Sequence, residues 1–223
     1  MEERKHIVIL AAGDFPTHSA PLRALQEAHA VVCCDSAYNS LKAAAPGIAD
    51  RAVVIGDGDS MSPCVKRQLG DRYHQVDEQD YNDLHKAMDY ATTQLTSDHK
   101  PLITILGATG KREDHTLGNI SYLVTFTEEH PEVEIEMLTD YGCLCAMRGR
   151  RTFASFPYQQ VSIFTMDPDT PIHSEGLRWP LDGFRARRWW QATLNETLGD
   201  SFTLSAEGWL IVFQTYEPKE PSV

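Results

Sequence analysis

The chain has 223 residues, enough for one large domain or two small ones and for a real buried core. Hydrophobic residues make up 42% and charged residues 23%, and no apolar run approaches the ~20 residues of a membrane helix, so a soluble globular protein with no membrane partner is expected. The formal net charge of -12 argues against nucleic-acid binding, which needs a basic footprint, and would repel a polyphosphate unless carboxylates gathered a metal locally.

The start, Met1-Glu2-Glu3-Arg4-Lys5, leads straight into a strand-like run and carries no signal-peptide pattern. The five cysteines, Cys33, Cys34, Cys64, Cys143 and Cys145, fit no zinc spacing and are expected to be reduced thiols in a cytoplasmic protein.

Strand and helix signals alternate through the first two-thirds. His6 to Ala12 is an apolar run closed by Gly13 and reads as a buried strand. Ala30 to Cys34, Ala52 to Ile55 and Leu102 to Leu106 repeat the pattern, and Val133 to Leu138 is a fifth candidate strand. Between them, Asp80 to Leu95 places Leu84, Ala87, Met88, Ala91 and Leu95 on one helical face. Thr116 to Phe126 is a second helical stretch. Such alternation predicts an α/β domain with a mostly parallel sheet, whose ligands sit beyond the carboxyl ends of the strands.

After about Gly142 helical periodicity disappears. Short β-rich runs follow at Gln160 to Met166, Arg188 to Leu194, Ser201 to Ser205 and Trp209 to Tyr216, with turn signals such as Asp167-Pro168-Asp169, Leu181-Asp182-Gly183 and Glu207-Gly208. These predict a smaller all-β sandwich or barrel. The expected division is residues 1–142 and 143–223.

Four polar loops carry aspartate at the expected carboxyl ends of strands. Asp35-Ser36-Ala37-Tyr38-Asn39 follows the second strand and by itself reads first as a helix start capped by Asp35. Gly56-Asp57-Gly58-Asp59-Ser60 follows the third. Its two carboxylates, one residue apart in a tight loop, can converge on Mg²⁺, or Asp59 or Ser60 can cap the next helix. Gln79-Asp80-Tyr81-Asn82-Asp83-Leu84-His85-Lys86 opens a helix with Asp80 as a candidate cap, while Gln79, Asp83 and Lys86 suit a ligand edge.

Gly107-Ala108-Thr109-Gly110-Lys111-Arg112-Glu113-Asp114-His115 is glycine-rich, and its glycines permit close approach of backbone to phosphate at a helix start. It is not a Walker A loop, because Arg112 rather than Ser or Thr follows Lys111. Arg112 can grip phosphate through its fork of N–H groups. Asp114 can bind metal or a cationic substrate, or cap the helix. Together the four loops read as a Mg²⁺-nucleotide site.

This ordered set resembles the thiamine pyrophosphokinase family, whose pattern runs roughly D-G-G-A-N, G-D-x-D-S, Q-D-x-T-D-x-x-K and G-x-x-G-G-R-x-D-H/Q. Gly176-Leu177-Arg178-Trp179-Pro180-Leu181 is similar to the family's G-L-x-[YW]-P-L element, and Asn195-Glu196 with Glu207 to Val212 to its closing strands. The resemblance implies a catalytic α/β domain, a β-sandwich for thiamine binding and dimerisation, and a homodimer that uses ATP, thiamine and Mg²⁺. It implies that Asp57 and Asp59 hold the metal and that Asp83, Lys86, Arg112 and Asp114 share the catalytic work. Asp35, Asn39, Ser60, Gln79, Asp80, Lys111 and His115 are then placed in the substrate-binding surroundings. Ser36-Ala37, Asn82, Lys111 and Leu194 depart from the family pattern.

Two rivals have a basis in the sequence. Val53 to Ser60 is similar to the strand-Asp-x-Asp element of haloacid-dehalogenase-like phosphatases, although Ser60-Met61 stands where that element has Gly-Thr. A non-catalytic nucleotide-sensing module would also need an acidic and basic rim.

Overall fold

The computed structural model describes residues 4–59, 61–95 and 100–218. The chain divides into two compact units, Met1–Asp140 and Tyr141–Val223.

The first unit is built on a parallel sheet. Its strands are β1 (His6–Leu10), β2 (Ala30–Cys34), β3 (Val53–Gly56), β4 (Tyr73–Gln75), β5 (Leu102–Leu106) and β6 (Glu134–Leu138), lying in the order β6-β5-β1-β2-β3-β4. Continuous apolar runs form β1, β2, β3 and β5 because both faces of the sheet are covered there, whereas β6 alternates. On one face Val8, Leu10, Val31, Cys33, Val54 and Leu106 form a core with Leu25, Leu41, Ala49 and Leu69. Those four come from α1 (Ser19–Glu27), α2 (Ala37–Ala44), α3 (Pro46–Ala49) and α4 (Pro63–Leu69). Alternation along each strand turns Ile7, Ile9, Val32, Ile55, Ile103 and Ile105, all buried, to the other face. There α5 (Asp83–Tyr90) and α6 (Glu113–Glu129) pack, burying Leu84, Ala87, Met88, Leu123 and Phe126.

Two features of this unit differ from the sequence expectation. β4 is an additional edge strand, three residues long and too polar to show as a hydrophobic run. The helix expected from Asp80 begins at Asp83, because Asn82 and not Asp80 is the cap: its side chain accepts the His85 N–H at 3.1 Å. Beyond Tyr90 the same stretch continues as a π-helical turn, Ala91–Leu95.

The second unit is all β. It contains β7 (Gly142–Ala154), β8 (Gln159–Thr165), β9 (Ile172–Glu175), β10 (Asp182–Phe184), β11 (Asn195–Glu196) and β12 (Ser201–Pro218). β12 pairs with β7 along both of its halves, and its other edge changes partner from β9 to β8. The change occurs at a bulge between Ala206 and Leu210. A bulged long strand can thus serve two sheet halves that face one core. That core includes Met147, Phe153, Val161, Ile163, Leu177, Phe202, Leu204 and Leu210.

The bulge also corrects the reading of Glu207-Gly208 as a turn between two strands. Gly208 lies inside β12, pressed on Thr170 so closely that a Cβ would meet its Oγ1 at 2.2 Å. Arg188 to Leu194 is not a strand. It is a 3₁₀ turn at Trp189–Ala192 with both tryptophans exposed, and Leu194 follows it in the left-handed region at φ +59°.

Candidate active site

The carboxyl ends of β1, β2, β3 and β5 carry the polar loops of the first unit. β1 and β5 are neighbours whose chains leave in opposite directions along the sheet, so the loops that follow them flank a topological switch point. These loops are zipped together: the Gly13 N–H donates to the Gly107 carbonyl at 2.7 Å and the Asp14 N–H to the Thr109 carbonyl at 2.9 Å. The close approach excludes side chains. A Cβ on Gly13 would fall 2.3 Å from the Thr109 oxygen.

Lys111 closes the glycine-rich loop in a left-handed conformation, φ +56°, where the family pattern has glycine. Its ammonium donates to the Ala12 carbonyl at 2.6 Å and so clasps the loop after β1. Lys111→Gly and Lys111→Ala both lose that clasp and differ in backbone freedom. The glycine variant is expected to be the more stable by about 1 kcal/mol, read from denaturation midpoints. Equal midpoints would count against strain at this position.

Arg112 occupies the N-cap position of α6 without a side-chain cap, and Glu113 and Asp114 fill its acidic first turn. The Arg112 guanidinium donates twice to Asp114, Nη2 to Oδ2 at 2.5 Å and Nε to Oδ1 at 3.1 Å. Asp114 also accepts the His115 backbone N–H at 2.8 Å. The Arg112 guanidinium, and then that N–H, hold the Asp114 carboxyl below its ordinary value. Both side chains of the pair are exposed. Asp114 is thus a partner of Arg112 within the first turn and not the cap of the helix.

A second group gathers over β2 and β3. Asp35 is buried, with φ +35°, and its Cβ sits where a Cβ on Gly56 would meet it at 2.7 Å. Gly56 therefore makes the room in which Asp35 lies. Asp57 accepts the Asp59 N–H at 3.1 Å, which folds the loop into an Asx turn around Gly58 at φ +84°. From α5 come Asp83, half-buried, and Lys86, whose buried ammonium lies 3.7 Å from Asp83 Oδ1 and donates to the Val76 carbonyl at 3.2 Å. Burial pushes the Asp83 carboxyl above its ordinary value, the Lys86 ammonium pulls it back, and Asp57 and Asp35 push it further up. The Cys34 thiol donates to the Asp83 backbone carbonyl at 3.5 Å and is held well above its ordinary value, mainly by burial.

The two groups are joined by a relay that sequence reading missed. Asn82 Nδ2 donates to Asn119 Oδ1 at 3.2 Å, and Asn119 Nδ2 donates to the Ala108 carbonyl at 2.8 Å. Asn82, where the family has Thr, thus caps α5 and also ties it through buried Asn119 to the glycine-rich loop. The signal for Asn119 was an amide within the helical stretch from Thr116 to Phe126.

The structure therefore brings Asp35, Asp57, Asp83 and Lys86 into one electrostatic neighbourhood and sets Lys111, Arg112 and Asp114 on the adjoining loop. Asp59 is exposed beside Asp57. Asn39, Gln79, Asp80 and His115 are exposed, with Asn39 on α2 and Gln79 and Asp80 in the coil before α5. The Gln79 amide donates to the Asp77 carbonyl at 3.4 Å, and the Asp80 N–H donates to Glu78. Ser60 lies outside the described residues. Among the described residues no three His, Cys, Asp or Glu side chains converge as a metal site.

In the second unit, the Gly-Leu-Arg-Trp-Pro-Leu element is fixed against Asn195-Glu196. Asn195 Oδ1 accepts the Trp179 N–H at 3.2 Å, its Nδ2 donates to the Trp179 carbonyl at 2.7 Å, and Arg178 pairs with Glu196 at 2.7 Å. Beside them lies a cavity of about 400 Å³ lined by Trp179, Phe184, Leu194 and Asn195 among others.

Two family models match the chain in succession: "Thiamin pyrophosphokinase, catalytic domain" over residues 22–136 and "Thiamin pyrophosphokinase, substrate-binding domain" over residues 142–213. The chain belongs to the thiamin pyrophosphokinase family. Thiamine pyrophosphokinase 3 of Oryza sativa subsp. japonica is 39% identical over 143 residues, and thiamine pyrophosphokinase 1 of the same plant is 30% identical over 145 residues. Each match covers 58% of this chain and 52% of the relative, so the chain spans about half the length of these curated thiamine pyrophosphokinases. The solved thiamin pyrophosphokinase from Candida albicans shares the fold with a TM-score of 0.77 at 16% identity, over 96% of this chain and 90% of that one.

Proposed function

We propose that this chain transfers a pyrophosphoryl group from ATP to thiamine, releasing AMP. The observation that carries the reading is the gathering of Asp35, Asp57, Asp83 and Lys86 at the carboxyl ends of β2 and β3, linked through Asn82 and Asn119 to the glycine-rich loop. An acidic rim next to a loop carrying Arg112 suits a metal-bound polyphosphate. In the reaction the thiamine hydroxyl oxygen bonds to the β-phosphorus of ATP, the bond from that phosphorus to the bridging oxygen of AMP breaks, and the alcohol proton passes to a carboxylate.

Asp83 suits the proton better than Asp114. It is half-buried and its affinity for a proton is raised, whereas Asp114 is exposed and held ionised by Arg112. Asp57 and Asp59 would hold Mg²⁺, an ion content with one or two carboxylates when substrate phosphates and water complete its shell. When bound, Mg²⁺ supplies charge neutralisation at the phosphates. Lys86 is held in place beside Asp83, and the Arg112 fork grips phosphate after exchanging Asp114 for it.

The second unit would take the thiamine ring, which is cationic and aromatic, and the cavity beside Trp179 offers an aromatic wall. Exposed Trp179, Trp189, Trp190 and Leu198 on this unit fit burial in a homodimer. The five cysteines form no disulfide among the described residues, which fits a cytoplasmic setting that recovery from an oxidising compartment would contradict.

Thiamine-dependent release of AMP from ATP is the test. AMP should appear only with both substrates and Mg²⁺, from a species that sediments as a dimer. A phosphate trapped on Asp57 would replace this reading with a phosphatase, and nucleotide binding without turnover would replace it with a sensing module. An active monomer at micromolar concentration would remove the dimer.

A further inference from the structure

One polar group of the acidic hollow has no role in the chemistry above. β4 pairs with β3 in parallel, Tyr73 opposite Val54, and this carries the phenol toward the loop after β3. A Cβ on Gly58 would fall 2.2 Å from the Tyr73 hydroxyl oxygen and 2.2 Å from Lys66 Nζ. Both groups therefore lie against the same bare face of Gly58, between the carboxylates of Asp57 and Asp59 in sequence. Lys66 reaches there from α4, with its ammonium 5.3 Å from the centroid of the Tyr73 ring.

The Tyr73 hydroxyl is buried, and among the described residues it has no hydrogen-bond partner. Buried hydroxyls are normally satisfied, so an orphan at a loop of this kind needs an explanation. Burial raises the phenol above its ordinary value, and Asp35, Asp57, Asp83 and Asp77 raise it further, so it stays protonated and remains a donor. It is a donor surrounded by carboxylates, none of which accepts from it, with an ammonium at its side. The two groups themselves fill the face of Gly58, so an anion bound beside them, and not against Gly58, would accept from both.

We propose that the Tyr73 hydroxyl and the Lys66 ammonium together hold one phosphate of the nucleotide beside the loop that carries Gly58. The inference rests on the pyrophosphokinase reading for the identity of the ligand and concerns residues outside the four aspartate loops. Tyr73 comes from an edge strand and Lys66 from the middle of α4.

The test is calorimetric binding of Mg²⁺ with α,β-methylene ATP, which cannot react at the β-phosphorus, to the full chain and its variants. Tyr73→Phe should weaken binding about tenfold, as expected for the loss of one hydrogen bond to a charged acceptor. Its thermal midpoint should equal or exceed the parent's, because the hydroxyl has no protein partner to lose. Lys66→Met should weaken binding as well and flatten its dependence on salt. KM for ATP should rise in both variants while KM for thiamine stays unchanged.

Unchanged analogue affinity in Tyr73→Phe would overturn the proposal, as would a lower midpoint with unchanged affinity, which marks a structural hydroxyl. If the chain binds the analogue, loses that affinity in both variants and yet never forms AMP with thiamine, the pyrophosphokinase reading fails and the phosphate clamp stands.

Discussion

Asp57→Asn is expected to lower thiamine-dependent AMP release by more than about a hundredfold, since even a residue that only supports a metal ligand costs about 10–100-fold. The fold should survive. Asp57 Oδ1 accepts the Asp59 N–H, and an asparagine Oδ1 accepts it as well, so the turn around Gly58 keeps its internal bond. What disappears is one negative charge. Activity should become steeply dependent on Mg²⁺, with partial recovery at high concentration, because one remaining carboxylate at Asp59 still offers a weak site. Near-normal turnover of Asp57→Asn at limiting Mg²⁺ would remove Asp57 from metal binding. The same substitution has a second consequence. Asp57 is one of the groups that push Asp83 up, so its neutralisation should bring the Asp83 carboxyl back toward its ordinary value.

The sheet was legible in the sequence because its strands are buried on both faces. A run such as HIVIL has no other stable place in water, and four of the six parallel strands announce themselves in this way, while β6 shows as an alternating run. β4 did not, because Tyr73-His74-Gln75 is a polar edge whose pairing depends on β3 being there first. The aspartates were visible as loop residues at strand ends, but their chemistry was not. Asp83 and Asp114 look alike in sequence, each close to a helix start with a cation nearby. Burial against Asp35 and Asp57 raises one, and an exposed bidentate arginine lowers the other.

Lys111 hides its local role for a related reason. A lysine in a glycine-rich loop suits substrate-binding surroundings, and the positive φ and the reach to the Ala12 carbonyl show that it also clasps the loop. In the second unit the period-two signal was right for β12 but could not show that Glu207-Gly208 continues a strand through a bulge. Nor could it show that Arg188 to Leu194 turns as a 3₁₀ segment and leaves it through Leu194 in the left-handed region.

Asp83→Asn should abolish most thiamine-dependent turnover and at the same time make the protein more stable at neutral pH. The Asp83 carboxyl is half-buried and its folded-state value is raised, chiefly by burial, with Lys86 opposing and Asp57 and Asp35 adding to the shift. A raised value means that the folded chain binds this proton more tightly than the unfolded chain does. The contribution of the group to stability is then fully present below its unfolded value. It is lost as the pH climbs through the raised folded value, with stability falling over that window. Asparagine resembles the protonated carboxyl in shape, keeps a carbonyl oxygen toward Lys86 and has no proton to release. The difference in unfolding free energy between variant and parent should therefore be small near pH 4, grow in favour of the variant as the pH rises, and level off above the folded value of Asp83. Urea denaturation of both proteins from pH 4 to pH 7.5 measures it. A difference that stays flat with pH, or a parent that is the more stable at pH 7, would mean that Lys86 overcomes the burial and that Asp83 is an ordinary ion-pair partner. Turnover gives the second axis. A carboxylate kept at a cost in stability and then found dispensable for AMP release would have no reason to be there, whereas loss of both the penalty and the activity in one substitution ties the strain at Asp83 to acceptance of the thiamine proton.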